Sequence, residues 1–164
     1  MRVHVPGDKS RTQRALILSA RAEGESRISG LLFGGDAEST ANAPRALGAG
    51  IPPIPSDGSE ITVQGVGLGG LRSPGSQLDL GNSGTGARLL LGVLSGSAVE
   101  TTMTGDESLR SRPMCRVTEP LRAMGARFDC RAEDGLLPIR LRGKRPLQEI
   151  DWSTPVASAQ VKSS

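Results

Sequence analysis

The 164-residue sequence predicts a mixed α/β fold assembled from repeated supersecondary units, and three observations carry that prediction. First, Arg45-Ala46-Leu47-Gly48-Ala49 recurs as Arg122-Ala123-Met124-Gly125-Ala126, 77 residues further on. A long fixed period is a signature of stacked units. Second, each copy is followed by an alternating segment, Ile61-Thr62-Val63-Gln64-Gly65 and then Ile139-Arg140-Leu141-Arg142-Gly143, 78 residues apart. Alternation at period two is a strand pattern. Third, an extended apolar stretch runs into a small polar turn and a helical pattern three times. Val3 to Val5 leads into Pro6-Gly7-Asp8-Lys9-Ser10, Leu78 to Leu80 into Gly81-Asn82-Ser83-Gly84-Thr85, and Ile150 to Trp152 into a segment ending Ser158-Ala159-Gln160. Layers of this kind allow one polar turn per unit to face a common site.

Taken in order, the elements are a strand at 3–5, helices at 11–22 and 37–47, a strand at 61–65 and another at 78–80. Helices at 85–95 and 113–124 follow, then strands at 139–143 and 150–152. Gly48 and Gly125 end apolar helical stretches as C-caps do. Pro113 suits the first turn of its helix. The third unit begins near residue 148 and Ser164 falls inside its first expected helix, so the expected fold is incomplete.

Composition limits function without naming it. Hydrophobic residues make up 36% and charged residues 23%, the range of folded proteins. Aromatics are 2%, with no Tyr, so the core is expected to be Leu, Val, Ile, Ala and Met packed around 22 glycines. Cys115 and Cys130 form no CxxC pair, and reduced thiols are expected. No apolar run approaches the roughly 20 residues that span a bilayer, and the start lacks a signal-peptide core. The expectation is a cytoplasmic protein with no membrane partner. A net charge of +3 favours anionic ligands, but the arginines are dispersed and stacking aromatics are scarce. Small phosphorylated molecules fit better than nucleic acid. His4 is the one histidine, so a multi-histidine metal centre is excluded, and no metal or cofactor is expected.

The turns offer what an anion needs: small residues, exposed amides and helix N-termini. Lys9 adds charge, Ser10 a hydroxyl, and Arg14 lies four residues on, on the same helical face. Alternatively, Ser10 caps the helix and Arg14 is solvated surface. Gly81 to Gly86 holds three glycines in six residues and is followed by Arg88. It is either a tight structural turn or a close approach to a ligand. Arg112, before Pro113, is read as a cation at a helix start, opposed by the dipole unless it holds an anion. Two decoys fail. Gly65 to Gly70 has dinucleotide-fingerprint spacing, yet Pro74 and Gly75 stand where a helix should begin; Gly7-Asp8-Lys9-Ser10 lacks the upstream glycine of a P-loop.

At these same turns the chain resembles the 5-enolpyruvylshikimate-3-phosphate synthases. The matching stretches are Val5 to Ser10 with Arg14-Ala15-Leu16, Leu80 to Thr85 with Arg88, Arg112-Pro113-Met114, and Ser158-Ala159-Gln160-Val161-Lys162-Ser163. The resemblance implies an inside-out barrel of repeated βαβαββ units, incomplete here. Residues 1–10 would be a strand and hinge of the other domain, and residues 11–164 a partial domain. Its unit one would span about 11–75, unit two about 76–147, and the start of unit three 148–164. It further implies that Lys9, Ser10, Arg14, Ser158, Ala159 and Gln160 hold shikimate 3-phosphate. Lys9, Asn82, Gly84, Arg112 and Gln160 would hold phosphoenolpyruvate, with Lys9 catalytic. The remaining C-terminal half, with the family's catalytic carboxylates, would be a further partner, and the 164 residues alone are expected to be inactive. Gln13, where the family commonly has His, and Gly86, where Ala or Thr is usual, depart from the pattern. Two alternatives stay open: a relative of UDP-N-acetylglucosamine enolpyruvyl transferase, against which Lys9-Ser10 argues, and a non-catalytic module that binds phosphorylated ligands.

Overall fold

The computed structural model of the chain describes residues 7–130, 135–153 and 159–162, the side chains of Ala159 and Gln160 excepted. The expected strand Val3 to Val5, with His4, lies outside the described residues.

Helix α1, Lys9–Arg21, starts two residues earlier than the sequence pattern indicates, because Asp8 and not Ser10 is its N-cap: Asp8 Oδ1 accepts from the Arg11 amide at 2.7 Å. A carboxylate satisfies a free amide and also complements the positive dipole end. Lys9 and Ser10 therefore lie in the first helical turn. The helix buries Thr12, Gln13, Leu16, Ile17, Ser19 and Ala20. Strand β1, Glu23–Ile28, returns as the antiparallel partner of β2, Ile61–Val66, with Ile28 opposite Ile61; between them lies helix α2, Gly35–Ala46.

The second copy repeats this order and extends it. Strand β3, Leu78–Asp79, leads into α3, Gly84–Ser95, whose N-cap Ser83 accepts from the Gly86 amide at 3.2 Å. Strand β4, Glu100–Thr104, is followed by a short helix α4, Glu107–Arg110, which sequence reading missed. Asp106 caps α4 through the Leu109 amide at 2.7 Å, and the Arg112 amide still bonds back to the Leu109 carbonyl. Helix α5, Cys115–Ala123, accordingly begins only after Met114, and Pro113 precedes it instead of opening it. Strands β5, Arg127–Cys130, and β6, Ile139–Arg142, complete a four-stranded sheet in the order β3-β4-β6-β5, in which only β3 and β4 run parallel. Helix α6, Ala159–Lys162, contacts α3 and α5. Ile150 to Trp152, expected as a strand, has no strand partner among the described residues. Three alternating residues cannot form a strand without a neighbouring edge to bond.

The sequence repeat reappears as repeated geometry. Gly48 and Gly125 have φ of 107° and 105°, in the left-handed region that a side chain would strain. Ala49 then donates to the Pro44 carbonyl at 2.9 Å and Ala126 to Leu121 at 3.0 Å, the Schellman closure in both copies. Gly65 and Gly143 lie against the ends of α1 and α3, where a Cβ would strike the carbonyls of Ser19 and Ala22, or of Leu94 and Ser97. Apolar faces meet in two cores. One gathers Leu16, Ala20, Ala41, Ile61 and Val63; the larger gathers Leu78, Leu90, Leu94, Met103, Ile139 and Leu141, and reaches back to Ile17 and Leu47.

Candidate anion-binding site

The two polar turns come together because the starts of α1, α2 and α3 pack side by side. Gln13 of α1 is fully buried and donates from Nε2 to Ser83 Oγ at 2.6 Å and to Thr40 Oγ1 at 3.2 Å. Thr40 and Ser83 hydroxyls are 3.0 Å apart, and Thr40 donates to the Asp36 carbonyl at 2.7 Å. Residues far apart in sequence thus fix one helix N-terminus beside another.

At the first turn, Lys9 forms an ion pair with Asp36, in the first turn of α2, yet its side chain remains 57% exposed. A hollow of about 250 Å³ lies there, lined by Lys9, Leu32, Gly34, Gly35, Asp36 and Ala37. Ser10 accepts from Arg14 at its hydroxyl, one turn away. The helical face expected to bring these two together does so.

At the second turn, Arg112 is the centre. It stands beyond the C-terminal end of α4 instead of at a helix start, which removes the dipole opposition that the sequence suggested. Its Nη2 donates to Asn82 Oδ1 at 2.6 Å and to Ser108 Oγ at 3.0 Å, while Asn82 Nδ2 donates to Asp106 Oδ2 at 2.7 Å. Asp106 is held below the usual carboxylate range, by the Leu109 amide first and the Asn82 amide next. It therefore stays ionised and orients Asn82, which in turn aims Arg112. Arg88, one turn into α3, donates from Nη2 to the Pro113 carbonyl at 3.2 Å. Burial, and then the charges of Arg116 and Arg112, depress its pKa. Three guanidinium groups so close together repel one another, and an anion among them would relieve that repulsion. Gly84 is where such an anion can approach: a Cβ there would stand 2.9 Å from Arg112 Nη1 and 3.3 Å from Arg88 Nη1.

Asn82, Gly84 and Arg112 are therefore brought together, and Lys9, Ser10 and Arg14 occupy the neighbouring helix start. Ser158 and the side chains of Ala159 and Gln160 lie outside the described residues. Sequence reasoning quoted Arg88 without giving it a role, although its position four residues after Gly84 was a usable signal. Asp36 and Asp106 were missed, since nothing in their local sequence shows what they face. A separate hollow of about 300 Å³ on the outer sheet face contains Arg127, Arg140 and Arg142, but Asp129 lines it too and Glu100 pairs with the last two arginines at 2.6 and 2.9 Å. Among the described residues there is no cluster of metal-ligating side chains, and no helix is long and apolar enough to cross a membrane.

Comparison with known proteins places this geometry in context. Residues 1–164 match the family described as EPSP synthase (3-phosphoshikimate 1-carboxyvinyltransferase). The chain is 55% identical over 163 residues to a 3-phosphoshikimate 1-carboxyvinyltransferase of Alkalilimnicola ehrlichii, covering 99% of this chain and 36% of the relative. It is 56% identical to the protein of that name from Gloeobacter violaceus, covering 99% and 37%. An EPSP synthase structure from Acinetobacter baumannii superposes with a TM-score of 0.91 at 46% identity, over 98% of this chain and 36% of that one. The chain thus spans about a third of the length of the relatives it matches.

Proposed function

The chain belongs to the EPSP synthase family, and from that premise we propose that it supplies part of the active site of a cytoplasmic enzyme that transfers the enolpyruvyl group of phosphoenolpyruvate to the 5-hydroxyl of shikimate 3-phosphate, releasing phosphate. The observation that carries the proposal is the pair of guanidinium groups, Arg88 and Arg112, beside Gly84 at the start of α3. Asn82, Gly84 and Arg112 hold phosphoenolpyruvate there, joined by Gln160. Ser10 and Arg14, with Ser158, Ala159 and Gln160, hold shikimate 3-phosphate. Lys9 faces both ligands.

The physical task is to bring two highly charged anions into contact. Cations and helix-start amides offset their repulsion, and a site fixed in advance by the Asn82, Asp106 and Gln13 bonds needs little reorganisation. The 5-hydroxyl gives up its proton and adds to C2 of phosphoenolpyruvate as C3 gains a proton; phosphate then leaves C2 as C3 loses a proton, which restores the C2=C3 double bond. Lys9 is the proton carrier this chain offers, its ammonium held by Asp36 on one side and open on the other. We further propose that residues 11–75 and 76–147 are successive copies of one unit, with 148–164 opening a third and 1–10, whose last two residues open α1, serving as a strand and hinge of another domain. The shared cap geometry at Gly48 and Gly125 supports the pairing of the first two.

The test is to assay phosphate release from both substrates, by the 164 residues alone and with the remaining length of a relative added. The chain alone is expected to be inactive and the combination active. In the active combination, Arg112→Ala is expected to cost about 2 kcal/mol or more of transition-state stabilisation. Steady turnover by the chain alone would overturn the claim that it supplies only part of the site, and an unchanged kcat/KM for phosphoenolpyruvate in the variant would overturn the role given to Arg112.

A further inference from the structure

Gln13 is given no ligand in the proposed site, yet it is a buried polar side chain bonded to the cap of its second turn. Its carboxamide is wholly buried, and its Nε2 donates to Ser83 Oγ and Thr40 Oγ1 at 2.6 and 3.2 Å. Its Oε1 has no hydrogen-bond partner among the described residues. A buried carbonyl oxygen left unpaired is destabilising, and an apolar side chain of similar length would avoid that cost. The amide's two hydrogen bonds, to the buried Ser83 and Thr40 hydroxyls, direct its effect onto the start of α3. What the amide does is donate to the Ser83 hydroxyl, which also accepts from the Gly86 amide as the cap of α3. Gly86 leaves the necessary room: a Cβ there would collide with Thr40 Oγ1 and stand 2.6 Å from Ser83 Oγ. Asn82 and Gly84 flank Ser83 directly, so any rotation of the cap moves the Arg112 acceptor and the Gly84 amide together.

We propose that Gln13 is a positioning residue for the Asn82–Gly84 anion turn, acting through Ser83 and using the space left by Gly86. It makes the start of α1, where Lys9 stands, and the start of α3, where Arg112 converges, one rigid unit. The proposal rests on the reading of that turn as an anion site, and the experiment separates the two.

Inorganic phosphate is titrated into the 164-residue chain while the Gly84, Thr85 and Gly86 amides are followed by NMR, and amide hydrogen exchange is measured in the same samples. Gln13→Met is expected to weaken phosphate binding at least 5-fold and to speed Gly86 amide exchange at least 10-fold relative to the amides of β6. Gln13→Asn, too short to reach Ser83, is expected to do the same and serves if the methionine variant does not fold. In a Ser83→Ala background, Gln13→Met is expected to add nothing, because both act through one bond. Additive losses in that double variant, or wild-type affinity and Gly86 protection in both Gln13 variants, would overturn the positioning role. If Arg112→Ala loses phosphate while the Gln13 variants retain it, the anion site stands and this proposal falls. If the unaltered chain shows no phosphate response, or Arg112→Ala binds phosphate as tightly as the unaltered chain does, the anion-site reading falls and takes the proposal with it.

Discussion

The two copies of the repeat share their local chemistry but not their cores. Arg45 and Arg122 stand at equivalent places, in the last turns of α2 and α5, and each reaches the backbone carbonyl six residues on, at Ile51 (2.8 Å) and Phe128 (3.0 Å). Beyond that point they part. Arg45 adds the Pro52 carbonyl, Asn42 and the Glu38 carboxylate, a polar buttress; Arg122 lies over the Phe128 ring, 5.7 Å from its centroid, and bonds Cys130. Among the described residues the first copy pairs two strands beside the smaller core, whereas the second pairs four beside the larger one. A duplicated local signal thus duplicates caps and turns. What those caps support depends on the apolar surface that each copy can bury.

The comparison breaks most visibly in the larger core. Leu90 is 1% exposed, and Leu90→Ala is expected to cost about 3–5 kcal/mol in urea denaturation, since the cavity cannot collapse among close-packed neighbours. Leu16→Ala, equally buried in the smaller core, is expected at the low end, about 2–3 kcal/mol, because fewer packed layers surround it. Equal losses would show that the two cores are one cooperative unit of equal rigidity. Next come the paired glycines. Gly65→Ala and Gly143→Ala each drive a methyl into two backbone carbonyls, and each is expected to cost about 2–3 kcal/mol, with similar shifts in the urea midpoint. A loss in only one copy would mean that the repeated close approach matters in only that copy.

A smaller effect separates the copies by pH. Burial pushes the Glu38 carboxyl up, but hydrogen bonds from Arg45 and the Ile54 amide outweigh it, and the folded pKa falls below the ordinary 4.5. A depressed carboxyl contributes stability that is present above 4.5 and lost as pH falls through the lower folded value. The Ile54 amide, 2.9 Å from Glu38 Oε1, should therefore lose exchange protection below about pH 4.5. Cys115 occupies the equivalent place in the second copy, so the Schellman amide of Ala126 should hold its protection through the same range. Glu38→Gln is expected to abolish the acid response, and a response that survives it would assign the effect elsewhere. The smallest expected change comes from the left-handed caps. Gly48→Ala and Gly125→Ala should cost about 1 kcal/mol each, the Gly125 variant slightly more because a Cβ there meets Lys144 Cδ at 3.0 Å.

Much of the fold was legible without coordinates, for reasons that are local. Gly48 and Gly125 announce helix ends because only glycine enters the left-handed region cheaply, and alternation at Ile61 and Ile139 announces strands because one face is buried. The two polar turns were legible because small residues, hydroxyls and arginines cluster within a few positions at Lys9 to Arg14 and at Asn82 to Arg88. By itself, then, the sequence determined the repeat, its glycine C-caps, most elements and the residue types gathered at the polar turns. Tertiary structure decided the rest. Asp36 reaches Lys9 across 27 positions, and Gln13 reaches Ser83 across 70; no local pattern encodes a contact made by packing separate helices together. The cap of α1 fell to Asp8 because backbone direction, not residue preference, chose between two capable neighbours. Arg112 changed its setting most. Only the four-residue α4, too short to show a helical period, turns it from a cation at a helix start into one that reaches back to Asn82 and Gly84.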